Sequence, residues 1–253
     1  MLELTQGVES FVIAQGPSGG TVEARPGGRM GDIYGRGFAR SPQGDIILDV
    51  VKVNNVDVVR PRLATNIQRL GNYNPDWTAG LTNAITFRNI SLRFLLDYRH
   101  GGLLYTNTGA LLYRSGISTE SLPYRTSTFI PQGAVAGPGG TFTKNTFPNT
   151  GQDWYRSYYP TTNIEANSYD ATFLKLREIS LGTDLKPWLK KLPMESLRLS
   201  LFGRNLWTKT KSHFLRQFDP EALAQSGGTL IPGFEVGQLP SPQTYGVNLS
   251  VGF

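Results

Sequence analysis

The residues that could do acid–base or metal chemistry are few and scattered. His100 and His213 are the only histidines, and they stand far apart in the chain. His100 follows a strand-like segment and His213 sits in a polar stretch, so both read as solvated loop histidines. Asp97 and Glu178 have Arg93, Arg99, Arg177 and Arg198 available nearby in similar segments, and a carboxylate among arginines usually pairs with one. General acid–base work needs two groups held close with perturbed pKa values, and no such pair is visible. There is no phosphate loop, no serine-centred elbow and no metal-spaced histidine pair. The chain has no cysteine, which excludes a disulfide framework and a thiolate metal site. The expectation is a protein that is not an enzyme and has no cofactor and no metal.

One cluster points to binding instead. DWYRSYYP, from Asp153 to Pro160, holds Trp154, Tyr155, Tyr158 and Tyr159 within a long polar stretch. Aromatic faces stack on sugar rings, and Trp and Tyr dominate protein contacts. The same aromatics could equally pack their loop onto itself or form an interfacial belt. Trp188, beside Lys186, Lys190 and Lys191, reads as an interfacial anchor with snorkelling lysines. Gly19, Gly20, Gly27 and Gly28 read as turns in a Pro/Gly-rich stretch.

The elements that would position these residues are strands. Helical periodicity is almost absent, and period-2 alternation recurs. In WTAGLTNAITF, Trp77, Ala79, Leu81, Ile85 and Phe87 share a face. In NISLRFLLDYRHGG, Ile90, Leu92, Phe94, Leu96 and Tyr98 share one face; Ser91, Arg93, Asp97 and Arg99 share the other, with Leu95 as the exception. Arg88 and Asn89 between them have the length of a tight hairpin turn. Tyr169 to Leu185 is a long strand candidate with a less clean division. From Ser196 to Trp207, Leu197, Leu199 and Leu201 oppose Arg198, Ser200 and Arg204. The chain ends YGVNLSVGF, with Tyr245, Val247, Leu249, Val251 and Phe253 on one side.

Connections alternate in length. Those at 88–89 and 186–195 are short, and those at 106–168 and 208–242 are long. Structureless loops beyond about 15 residues are uncommon in compact domains. Short turns alternating with long loops is the build of a transmembrane β-barrel, and the strands have the length of a tilted span. In lipid every backbone group must be paired, so a barrel closes, and the last strand would do so by pairing with the first. No apolar run approaches a membrane helix. The net charge of +6 is scattered, which gives no nucleic-acid footprint. The alternative is a soluble all-β glycan-binding module.

Several segments resemble one family in order and spacing. GNYNPDWTAGLTNAITFRNISLRFLLDYRHGG (Gly71 to Gly102) is similar to the late-barrel hairpin of SusC/RagA-type TonB-dependent outer-membrane transporters. DATFLKLREISLG, SLRLSLFGRNLWTKTK with the following FDPE, and the closing LPSPQTYGVNLSVGF resemble strands of the same family, as does the upstream GRMGDIYGRGFARSPQGDIILD. The resemblance implies the C-terminal portion, residues 1–253, of a large antiparallel transmembrane β-barrel with long extracellular loops, in the bacterial outer membrane. It implies an oligosaccharide or peptide ligand, a SusD-like lipoprotein lid and energy from the TonB complex through a plug. It also implies a terminal strand read by the barrel-assembly machinery.

The sequence departs from the family in two ways. Neither a plug nor a signal peptide is read in it, so Met1 reads as a fragment start, a truncated reading frame or a pseudogene remnant, and alone the chain is not expected to transport. Where many members carry a calcium-type loop, this chain reads DVVKVNNVDVVRPRL, in which only Asp49 and Asp57 supply carboxylates. Calcium takes six to eight oxygen ligands, so no metal site is carried over.

Overall fold

The computed structural model describes residues 3, 5, 7–188, 193–212, 215, 218–221, 224–226 and 229–253. His213, Lys190 and Lys191 lie outside them. The chain divides into two compact units, one of Met1–Asn74, Leu103–Tyr169 and Leu223–Gln238, the other of Pro75–Gly102, Asp170–Ala222 and Leu239–Phe253.

The second unit is one antiparallel sheet of five long strands. They are β1 (Trp77–Phe87), β2 (Ile90–His100), β3 (Phe173–Asp184), β4 (Ser196–Thr210) and β5 (Thr244–Gly252). The spatial order is β5-β4-β3-β2-β1. β1 and β2 form the expected hairpin, closing at the pair Phe87–Ile90 around Arg88 and Asn89. Arg88 takes φ 55°, the left-handed conformation that such tight turns demand at this position. The sheet is open. β5 pairs with β4 and with no other strand among the described residues, so the expected closure of last strand on first is not seen there.

β3 explains why its stretch alternates poorly in sequence. Against β2 the register slips between Leu176 and Glu178, a β-bulge with Arg177 as the extra residue; against β4 it slips at the same place, where Asn205 and Leu206 stand opposite Arg177. Arg177 resets the phase. Leu174 and Leu176 before it and Ile179 and Leu181 after it then share one face.

The first unit is built from shorter pieces. Phe11–Gln15, Thr21–Ala24, Asp32–Gly35 and Gln68–Asn72 make a four-stranded sheet. Val22 and Ile33 from it pack with Tyr105, Ile164, Ile231 and Phe234 in one core. A second sheet contains the hairpin Ile47–Val53 and Val56–Pro61. Its turn, Asn54–Asn55, has φ of 49° and 65°, the two positive values of a type I′ turn, which asparagine tolerates better than most residues. Asp49 and Asp57 on this hairpin are paired with Arg62 and Lys52.

The stretch expected as loop from 106 to 168 holds two helices, α1 (Asn107–Ser115) and α2 (Gly151–Tyr158). Each starts on a threonine whose hydroxyl caps a backbone N–H: Thr106 accepts from Gly109 at 2.9 Å and Thr150 from Asp153 at 3.3 Å. α1 ends on Gly116 at φ 73°, the left-handed stop that suits glycine. No helix of the described residues is long and apolar enough to cross a membrane.

Candidate functional site

The sheet of β1–β5 has two chemically distinct faces. Directly opposed residues in antiparallel strands share a face, so the register assigns each paired side chain to a face. Leu81 opposes Leu96, Ile85 opposes Leu92, Leu92 opposes Leu181, Leu181 opposes Leu201, and Leu201 opposes Val247. This face runs apolar across all five strands. Leu81, Leu201 and Val247 are 54%, 53% and 65% exposed, so none of the described residues covers them. A continuous exposed apolar area of this extent on a water-soluble protein marks a contact surface.

The other face carries the charge. Ser91, Arg93, Asp97 and Arg99 of β2 oppose Gly182, Ser180, Lys175 and Phe173 of β3. Arg198, Ser200 and Arg204 of β4 oppose Ser250, Asn248 and Thr244 of β5. An 11-residue strand is about 36 Å long and, tilted by about 45°, spans about 25 Å, the height of the apolar band of an outer-membrane barrel.

On the polar face the arginines find the carboxylates, in part as expected. Arg177, held at the bulge, binds Asp97 at 2.5 Å and Glu221 at 2.5 Å. Glu178 pairs with Arg204 at 3.0 Å. Lys175 is buried and holds Asp219 and Glu221 at 2.6 and 2.5 Å. Asp219 also accepts from the Ser241 hydroxyl at 2.5 Å and from its backbone N–H at 3.0 Å. The network ties the segment 218–221 and the approach to β5 onto the polar face. Burial alone would raise the Asp219 carboxyl, but the Lys175 ammonium, the Ser241 donors and the Glu221 N–H outweigh it and hold the group at about 2. Glu221 is lowered as well: burial opposes ionisation, and hydrogen bonds from Arg177 and Lys175 override it.

The histidine that is described does no such work. His100 closes β2 rather than lying in a loop, and its ring stacks on Trp77 with centroids 5.4 Å apart. Among the described residues no group of three His, Asp or Glu side chains is assembled to hold a metal ion.

The four aromatics of the sequence cluster lie on or just after α2 and divide in role. Trp154 is 9% exposed and packs with Leu48 and Val59, with Phe129 edge-on at 6.0 Å. Tyr158 packs between Trp154 and Phe38, at 5.2 and 4.7 Å. Tyr155 and Tyr159 stack on Tyr113 of α1 at 5.6 and 4.0 Å. These contacts fasten α2 to its own unit, and Tyr155 also lines a cavity. Trp188 is exposed. In the terminal segment, Tyr245, Val247, Leu249 and Val251 lie on the apolar face of β5, and Phe253 follows it, exposed.

The fold has solved counterparts. The RagAB peptide importer in its closed-closed state matches 99% of this chain with a TM-score of 0.59 at 17% identity, and its open-open state matches with 0.54 at 18%. In sequence, TonB-dependent receptor P3 of Formosa agariphila is 26% identical over 196 residues, 73% of this chain. The resemblance to SusC/RagA-type TonB-dependent transporters stands. No family model matches the chain. The chain spans about a quarter of the length of the solved importer chains, and its match covers 17% of the Formosa receptor.

Proposed function

We propose that this chain forms part of the barrel wall and extracellular loops of a bacterial outer-membrane TonB-dependent transporter. The transporter would import oligosaccharides or peptides beneath a SusD-like lipoprotein lid, driven by the TonB complex through a plug. The observation that carries the reading is the five-stranded sheet with one exposed apolar face and one charged face. A soluble sheet buries its apolar face; a barrel strand offers it to lipid and turns its charges to the lumen. Among the described residues neither edge strand of the sheet has a second partner, as a larger barrel with further strands requires. The terminal strand, with Tyr245, Val247, Leu249, Val251 and Phe253 outward, is assigned as the signal for the barrel-assembly machinery. Likeness to the RagAB importer and to the Formosa receptor supports transport rather than catalysis.

The test is where the native product resides. An antibody against residues 241–253 should detect an outer-membrane protein whose gel mobility shifts on boiling, as folded barrels do. A soluble product with no heat shift would contradict the reading and favour the glycan-binding module.

A further inference from the structure

We infer that a cavity in the first unit binds an acidic sugar ring of an anionic oligosaccharide. The cavity, of about 260 Å³, lies between the C-terminus of α1, the 3₁₀ turn Thr119–Tyr124 and the start of α2. Arg114, Arg125 and Arg156 all line it, and no carboxylate does.

Arg25, Arg40, Arg60, Arg62 and Arg69 of this unit each hold a carboxylate within salt-bridge distance. Among the described residues Arg29, Arg36, Arg114, Arg125 and Arg156 hold none, and the last three of these gather around one cavity. Arg125 donates to the Gly116 carbonyl and keeps its remaining N–H groups for another acceptor. Arg114 and Arg156 stand in the last turns of their helices, where a cation complements the dipole. Dipole complement accounts for one cation per helix, but it does not bring three around one cavity. The first two residues of α2, Gly151 and Gln152, line the same space and add the positive end of that helix.

The remaining lining favours a sugar over a peptide. Tyr155 contributes an aromatic wall, and Ser115 and Gln152 contribute hydroxyl and amide groups suited to ring hydroxyls. The walls are helices and turns, so no open strand edge is present there to pair with an extended peptide. The volume suits one ring rather than a chain segment. Guanidinium forks bind carboxylate or sulfate bidentately, which makes a uronate or a sulfated ring the fitting occupant. The inference rests on the transporter reading for the fate of the ligand, not for its binding.

The experiment is a calorimetric titration of the full chain in detergent micelles with trigalacturonate, with maltotriose and triglutamate as separate arms. Trigalacturonate should bind, maltotriose should not, and raised salt should weaken the binding. Arg156→Gln and Arg114→Gln should each weaken it about tenfold, while Arg62→Gln, whose partner is Asp49 outside the cavity, should not. Arg156→Lys, which keeps the charge but loses the fork, should fall between. Circular dichroism checks that each variant is folded. Equal binding of triglutamate would overturn the sugar assignment and make this an acidic-peptide site. Failure of trigalacturonate to bind, or binding unaffected by both glutamine variants, would overturn the site. Binding by a chain found to be soluble would leave the site standing and remove the transporter.

Discussion

Lys175 and Asp219, 44 positions apart in sequence, meet at 2.6 Å with only 4% and 7% of their side chains exposed. A buried charge pair is weak evidence of net stability, but breaking one side of it strands the other charge. Asp219→Ala should therefore destabilise the sheet by about 3–5 kcal/mol. Lys175→Met with Asp219→Leu should recover most of that loss. Urea unfolding of the chain in micelles checks both; a double variant as unstable as the single one would count against the ion pair as the cause.

The same pair predicts a pH dependence. An aspartate in an unfolded chain titrates near 3.9, and Asp219 in the folded chain titrates at about 2. A lowered folded pKa contributes stability that is complete above the unfolded value and is lost as pH falls toward the folded one. Glu221, also lowered, adds with the same sign. The stability difference between wild type and Asp219→Asn should be constant from pH 7 to about 5 and shrink steadily toward pH 2. Urea midpoints across that range report it, and a difference that grew on acidification would reverse the assigned direction.

The two faces should respond oppositely to charge. Leu201→Arg places a cation on the apolar face and should cost about 2–4 kcal/mol of folding free energy in a bilayer. Ser200→Arg, one residue earlier on the polar face, should cost much less. Refolding into lipid vesicles with a denaturant titration separates the two, and equal costs would mean that the faces are not lipid and lumen.

Arg88 sits at φ 55° in the β1–β2 turn. The left-handed region penalises a side chain and not glycine, so Arg88→Gly should stabilise the hairpin by about 0.5–1 kcal/mol. Arg88→Val should destabilise it, because a β-branched residue is a poor fit there. The urea midpoint again reads the result.

Much of the five-stranded sheet was legible in the sequence because strand alternation is a local signal. Trp77–Phe87, Ile90–His100 and the turn between them are found as read. β3 was blurred because one bulged residue, Arg177, shifts the phase of an otherwise regular strand. The helices were missed because each spans only two to three turns, too short for a clear helical period. Their caps were the available signals: Thr106 three residues before Gly109, Gly116 at the stop, and Thr150 three residues before Asp153. The aromatic cluster was visible, but its division was not, because Trp154 is buried by Leu48 and Val59 from a distant hairpin. The partner of Glu178 proved to be Arg204, across the β3–β4 pair. The arginine-lined cavity had no sequence motif at all, since folding alone brings positions 114, 125 and 156 together.

As part of a barrel, the apolar face of the sheet would meet lipid. The chain has no cysteine, so single cysteines can be introduced at Leu81, Leu201 and Val247, and at Ser91, Ser200 and Asn248. Each would carry a fluorophore in vesicles containing brominated lipid. Strong quenching at the first three positions and little at the other three is the predicted result. Equal quenching at all six, or none at the first three, would contradict a membrane wall.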